Sequence, residues 1–227
     1  LLAIVLQVIT YSLGFWLLFV VLGFRRFNYV ELIKSAFPLL TYQYWFASAY
    51  VGLYILFPFV NKALCAMDKK QHKTLCIILF CLFTFYLPSR ALVVNGYSIM
   101  WMVSLYIFGA YLRLYYQPQG TVTGKLILYY IVPTLLLPCT RFGIDFMGEI
   151  LSIDVSIYSK FFYKNNSIFV CASSILFFII FLNIKVSNHI LQKIIRTVAP
   201  LTFGVYLVHN NPTIRDLLWQ LIHPYTF

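Results

Sequence analysis

The side chain best suited to chemistry is His209, in the run Tyr206-Leu207-Val208-His209-Asn210-Asn211-Pro212. An imidazole titrates near neutral pH, so it can move a proton or hold a polar ligand. The plainer alternative is a ring bonded to a helix-end carbonyl. Arg215 and Asp216 follow closely. A guanidinium there can grip an anionic or hydroxyl-rich substrate, or simply anchor a surface helix. Tyr44, Trp45 and Tyr50 set three aromatic rings close together. They can stack on a sugar ring, or form the aromatic belt of a membrane boundary. Pro58 should kink its helix and free a carbonyl, which Asn61 could satisfy unless it caps the helix end.

Other chemistries find no foothold. There is no phosphate-binding glycine loop, GxSxG elbow, HExxH pair or dinucleotide fingerprint. Five cysteines, Cys65, Cys76, Cys81, Cys139 and Cys171, lie in or beside apolar runs, and no two have CxxC spacing. They read as small apolar filler, and no metal or redox site is expected. His72, His189 and His223 sit in basic or interfacial segments and receive no role.

The elements that must position these residues are apolar. Of 227 residues, 62% are apolar and only 10% charged, and the mean hydropathy is +0.84. A soluble domain is about half apolar and a quarter charged. The apolar residues also fall in long blocks separated by short polar clusters, as membrane spans do. The fold expected is all-α, a polytopic bundle of transmembrane helices forming one membrane domain over residues 1–227. The net charge of +11 lies between the blocks, where it would meet lipid head groups rather than nucleic acid.

Seven spans are expected: Leu1 to Phe24, Trp45 to Val60, Thr74 to Pro88, Ser98 to Leu112, Leu126 to Cys139, Ser167 to Ile184, and about Ile194 to Val208. Even-numbered linkers hold Lys62, Lys69, Lys70, Lys73, Arg113, Lys125, Lys185, Lys193 and Arg196. Odd-numbered linkers hold Arg25, Arg26, Lys34, Arg90, Arg141, Lys160 and Lys164. The positive-inside rule makes the even linkers cytoplasmic and brings Asn210 and Asn211 out on the far side. The longest linker, 140–166, is expected to form an outer loop capping the bundle. Its Asn165-Asn166-Ser167 matches a glycosylation sequon, a short and often accidental motif.

Two linkers look amphipathic. In Tyr29 to Pro38, Val30, Ile33 and Phe37 share one helical face, with Glu31 and Ser35 pointing away and Lys34 on the flank. A short helix lying on the outer interface is expected, and Ser187 to Arg196 reads the same way on the inner one. The chain starts inside an apolar block without Met and stops without a returning span, so a fragment of a longer protein is expected.

Four segments together resemble the acyltransferase family 3 membrane proteins, the polysaccharide O-acyltransferases. They are Tyr44-Trp45-Phe46 through Tyr50 to Pro58-Phe59-Val60-Asn61-Lys62; Asn95-Gly96-Tyr97-Ser98 to Trp101 with Leu105 to Tyr111; Asn165-Asn166-Ser167-Ile168-Phe169; and Leu201-Thr202-Phe203-Gly204 to His209. Each alone is weak, but their order and spacing are specific. The likeness is nearest to the branch found in bacterial surface-polysaccharide gene clusters.

The resemblance implies about ten spans, with this chain running from the third onward without the last. It implies transfer of an acyl group, commonly acetyl from acetyl-CoA or another acyl-CoA, onto a sugar hydroxyl of a glycan at the inner (plasma) membrane. The family's catalytic His lies in its first span, upstream of residue 1, so no catalytic residue carries over and these 227 residues alone are expected to be inactive. His209 matches the family's Tyr-Leu-x-His ending as a pocket position. His209, Tyr44, Trp45, Tyr50 and Arg215 are therefore the expected substrate-binding residues. The partners expected are lipid, glycan acceptor and acyl-CoA, with no metal and no nucleic acid. The rival readings are a lipid-linked glycan transporter or flippase, and a scaffold in polysaccharide assembly.

Overall fold

In the computed structural model, which describes residues 1–85 and 96–222, every regular element is helical. In chain order these are α1 (Leu2–Val21), α2 (Tyr29–Ala36), α3 (Trp45–Cys65), α4 (Lys69–Phe85), α5 (Ile99–Tyr115) and α6 (Gly124–Leu151). Then come α7 (Ser156–Ser159), a 3-10 turn (Phe161–Tyr163), α8 (Ile168–Asn183), α9 (His189–Val198), a second 3-10 turn (Ala199–Leu201), α10 (Thr202–His209) and α11 (Pro212–Ile222). Among the described residues, four stretches are long and apolar enough to cross a membrane: α1, α3, α6, and Phe161–Asn183, which runs into α8. Apolar side chains such as Leu2, Phe59 and Val205 stand well exposed along these and other helices. Lipid is the solvent that such surfaces require, and the protein is a helical membrane bundle.

Polar residues set the helix starts. Asn28, Ser98, Thr123, Ser167 and Asn188 each accept a hydrogen bond from a first-turn N–H of α2, α5, α6, α8 and α9. The Ser167 hydroxyl also donates to the Phe162 carbonyl, so the serine of the sequon is committed to a helix cap. Gly23, at φ +76°, ends α1 in a backbone region that suits glycine.

Three features differ from those expected. The fifth span does not stop at Cys139: α6 continues through Pro133 and Pro138 and on to Leu151, helped by the Arg141–Asp145 pair one turn apart at 3.6 Å. The first half of the 140–166 segment is thus helix rather than loop. The expected seventh span is not one helix. The Ala199–Leu201 turn containing Pro200 separates amphipathic α9 from α10, and α10 has only 8 residues. At 1.5 Å per residue α10 falls far short of the ~30 Å hydrocarbon core. Finally, Asn61 does not serve Pro58. Its Oδ1 accepts the Tyr106 hydroxyl at 2.8 Å, tying α3 to α5. The end of the third expected block, with Arg90, Asn95 and His223, lies outside the described residues.

The chain gathers into two compact units. Unit 1 comprises Leu1–Ile55 and Val186–Phe227. Its core is Val8, Tyr44, Ala47 and Leu207, with Tyr11, Phe203 and Tyr206 packed around it. Gly204 permits α10 to approach α1, since a Cβ there would sit 3.1 Å from the Tyr11 hydroxyl. Unit 2 comprises Leu56–Lys185, with Phe83, Trp101, Phe108 and Cys171 at its core. Buried polar groups pin it: Asn166 donates to the Phe83 carbonyl, and Asn183 accepts the Gln119 N–H at 2.8 Å while donating to the Tyr116 hydroxyl at 2.7 Å.

Candidate functional site

Unit 1 holds a half-open cavity of about 310 Å³, lined mostly by residues with polar side chains. Its walls come from four places in the chain. Helix α1 brings Ser12 and Trp16, both buried. The stretch that follows brings Arg25, and α2 brings Glu31, Lys34 and Ser35. Thr41 and Gln43 come from the turn ahead of α3, and Asn211 to Thr213 from the turn between α10 and α11.

Helix α2 turns its apolar face outward, the sense expected of a helix lying on the lipid interface, but its polar face meets a cavity rather than open water. Val30, Ile33 and Phe37 are each more than half exposed, whereas Ser35 is buried and Glu31 and Lys34 border the cavity. In lipid this is the favourable sense: the apolar face meets hydrocarbon, and the polar face finds partners only inside. The sequence pattern gives the face that meets lipid, but it does not say that the opposite face lines a cavity.

Charge in the cavity is organised around Arg25. Its Nη1 lies 3.1 Å from Glu31 Oε1, and its Nη2 lies 3.7 Å from Asp216 Oδ2 on α11. Glu31 is thereby held through one oxygen. The other, Oε2, is buried and has no hydrogen-bond partner. The indole Nε1 of Trp16, a donor on a side chain only 8% exposed, is also buried and unpartnered. Buried polar groups are ordinarily satisfied. One unpaired acceptor and one unpaired donor on residues lining the same cavity mark it as a place for a ligand that can both give and take hydrogen bonds.

A second layer fixes these walls. Ser12 Oγ donates to Gln43 Oε1 at 3.3 Å. Asn211 donates from Nδ2 to the Tyr44 hydroxyl at 3.2 Å, and its Oδ1 accepts the N–H groups of Thr213 and Ile214, capping α11. Burial pushes the Tyr44 phenol above its ordinary pKa, although hydrogen bonds with Asn211 and Ser12 pull the other way. The phenol is neutral at physiological pH and bonds to two residues that line the cavity.

The five residues singled out from sequence are not brought together. Tyr44 is fully buried behind the cavity and reaches it only through Asn211 and Ser12. Tyr50 is half-buried and stacks on Phe46, which Trp45 meets edge-on; neither Trp45 nor Tyr50 lines the cavity. His209 is exposed at the end of α10, away from the lining. Arg215 is exposed and paired with Asp216 at 3.7 Å. Sequence reasoning passed over Ser12, Trp16, Arg25, Glu31, Lys34, Gln43 and Asn211. The available signal was the polar cluster on α2 facing polar residues buried in an apolar α1. Among the described residues no cluster of His, Cys, Asp or Glu is suited to hold a metal ion.

No curated protein and no solved structure matches the chain significantly. A family model does. It is described as an acyltransferase domain, and it matches residues 1–227, the whole of the chain. With a match over every residue of a helical membrane bundle, the chain belongs to acyltransferase family 3.

Proposed function

We propose that this protein is a plasma-membrane O-acyltransferase that moves an acyl group, acetyl in the first instance, from acyl-CoA to a sugar hydroxyl of a bacterial surface polysaccharide. In such a step the sugar O–H loses its proton, an ester C–O bond forms, the thioester C–S bond breaks, and CoA leaves as the thiol. Membership of an acyltransferase family supports the reaction class. We assign the unit 1 cavity to the sugar acceptor. The observation carrying that assignment is the pair of unpartnered buried atoms, Glu31 Oε2 and Trp16 Nε1. A sugar hydroxyl donates to the first, and another oxygen of the same ring accepts from the second. The volume falls at the low end of small-molecule sites, suiting a single sugar ring rather than an extended chain. These residues bind and orient the acceptor, and proton abstraction is assigned to none of them.

The test is acyl incorporation. Membranes containing the full-length protein, upstream spans included, are given radiolabelled acetyl-CoA, and label is measured in the glycan fraction. Label should enter alkali-labile ester on the glycan, and Glu31→Leu should reduce it. Movement of unmodified glycan across the membrane without label would favour the flippase reading and overturn this one.

A further inference from the structure

Unit 2 carries a second feature that acyl transfer does not absorb. A groove of about 430 Å³ runs between the last turns of α3 and α5. Leu64 and Leu114 give it apolar walls, and Gly109 and Ala110 give it a small-residue floor. A Cβ on Gly109 would have nothing within 4 Å, so the floor is open. The Asn61–Tyr106 hydrogen bond forms a polar step within the groove, and Arg113 stands at its edge, exposed.

The surrounding charge is one-sided. Lys62, Lys69, Lys70, Lys73 and Arg113 occupy the end of α3, the start of α4 and the end of α5. Asp68 is the sole acid in that run of chain from Asn61 to Lys73, and its Oδ1 is occupied by the Gln71 N–H at 2.7 Å. Among the described residues none of the five cations has an ion pair; Lys69 instead lies over the Tyr115 ring. Arg113 on the groove wall, with Lys62 next in sequence to the lining Asn61, above an apolar trough matches an amphiphile with a negative head and a hydrocarbon tail.

We propose that this groove binds an anionic phospholipid, its phosphate on Arg113 and one acyl chain along Leu64 and Leu114 over the Gly109–Ala110 floor. A neutral lipid fills the trough but leaves the cations unanswered.

Cys65 provides a native reporter, since its exposed thiol lines the groove, while exposed Cys81 and Cys139 do not. The full protein in maltoside micelles is treated with N-ethylmaleimide, and modification of each cysteine is followed by peptide mass spectrometry. Dioleoylphosphatidylglycerol should slow alkylation of Cys65 about fivefold relative to an equal mole fraction of dioleoylphosphatidylcholine, the ratio that ~1 kcal/mol per basic residue implies. Cys81 and Cys139 should be unaffected. Arg113→Gln, an exposed change that leaves the packing intact, should remove the difference, and Arg113→Lys should retain most of it. Equal protection by the neutral lipid would overturn the proposal, as would protection that survives Arg113→Gln. Protection by inorganic phosphate or free CoA without lipid would also overturn it, by assigning the site to a soluble phosphate ligand.

Discussion

If the unit 1 cavity holds the acceptor, Glu31 is where binding and catalysis separate most cleanly. Its Oε1 is tied to Arg25 at 3.1 Å, in a pair that is about one-third exposed, so the ion pair contributes no more than about 1 kcal/mol to stability. Oε2 is buried and idle until a hydroxyl reaches it. A hydrogen bond to a charged group is worth roughly 1.5–3 kcal/mol, against about 0.5–1.5 for a neutral one. Glu31→Gln keeps the shape and one acceptor, and loses the difference of about 1–1.5 kcal/mol, a rise in acceptor KM of roughly 5- to 12-fold. Glu31→Leu removes the acceptor altogether and should raise KM roughly 10- to 150-fold. In both, kcat should hold, because an interaction made equally in the ground and transition states affects KM alone. The assay is label transfer from acetyl-CoA in membranes, titrated with purified host polysaccharide, with thermal unfolding run in parallel. A fall in kcat at constant KM would identify Glu31 as the proton acceptor instead. An unchanged KM in both variants would remove the sugar from this cavity.

Trp16→Phe removes an unpartnered donor that costs about 1–3 kcal/mol to bury, and loses about 1 kcal/mol of packing. The melting temperature should hold or rise while acceptor KM increases roughly 2- to 12-fold; a lower melting temperature with KM unchanged would make Trp16 purely structural. Asn211→Ala strips the cap from α11 and leaves the Tyr44 hydroxyl short of a partner, so a loss of about 2–3 kcal/mol is expected by thermal or denaturant unfolding in detergent. Gly96→Ala should be more damaging than an ordinary glycine change: at φ +79° its Cβ would lie 2.6 Å from the Cβ of Asn165 and 2.9 Å from the backbone nitrogen of Asn166. Wild-type yield and melting temperature in that variant would contradict the packing described.

Much of the architecture was legible because lipid imposes few solutions. Long apolar blocks can only be helices there, and the caps at Asn28, Ser98, Ser167 and Asn188 stand in the sequence beside the turns they close. What misled was ending the fifth span at Cys139, just ahead of Arg141. Pro133 and Pro138 sit inside α6, and Arg141 and Asp145 pair with each other along its extension. Conversely, the apolar run from Ile194 to Val208 looked continuous, yet it is divided by the turn at Ala199–Leu201. In the first case backbone bonding around the ring sustains the helix; in the second a proline within a 3-10 turn reorients the chain.

The cavity was illegible for a different reason. Its residues come from stretches near positions 12–16, 25–43 and 211–213, and no local spacing links them. Sequence reasoning ranked residues by intrinsic reactivity and so favoured His209. The structure ranks them by unmet bonding, which favours Glu31 and Trp16. In a bilayer the second criterion is the more discriminating, because hydrocarbon gives an unpaired polar atom no water to fall back on. The placing of α2 has the same origin: with hydrocarbon outside, an amphipathic helix keeps its apolar face outward, and its carboxylate must find partners on the inner side. Both the unmet bonds of the cavity and the outward greasy face of α2 thus follow from one condition, that lipid occupies the outside.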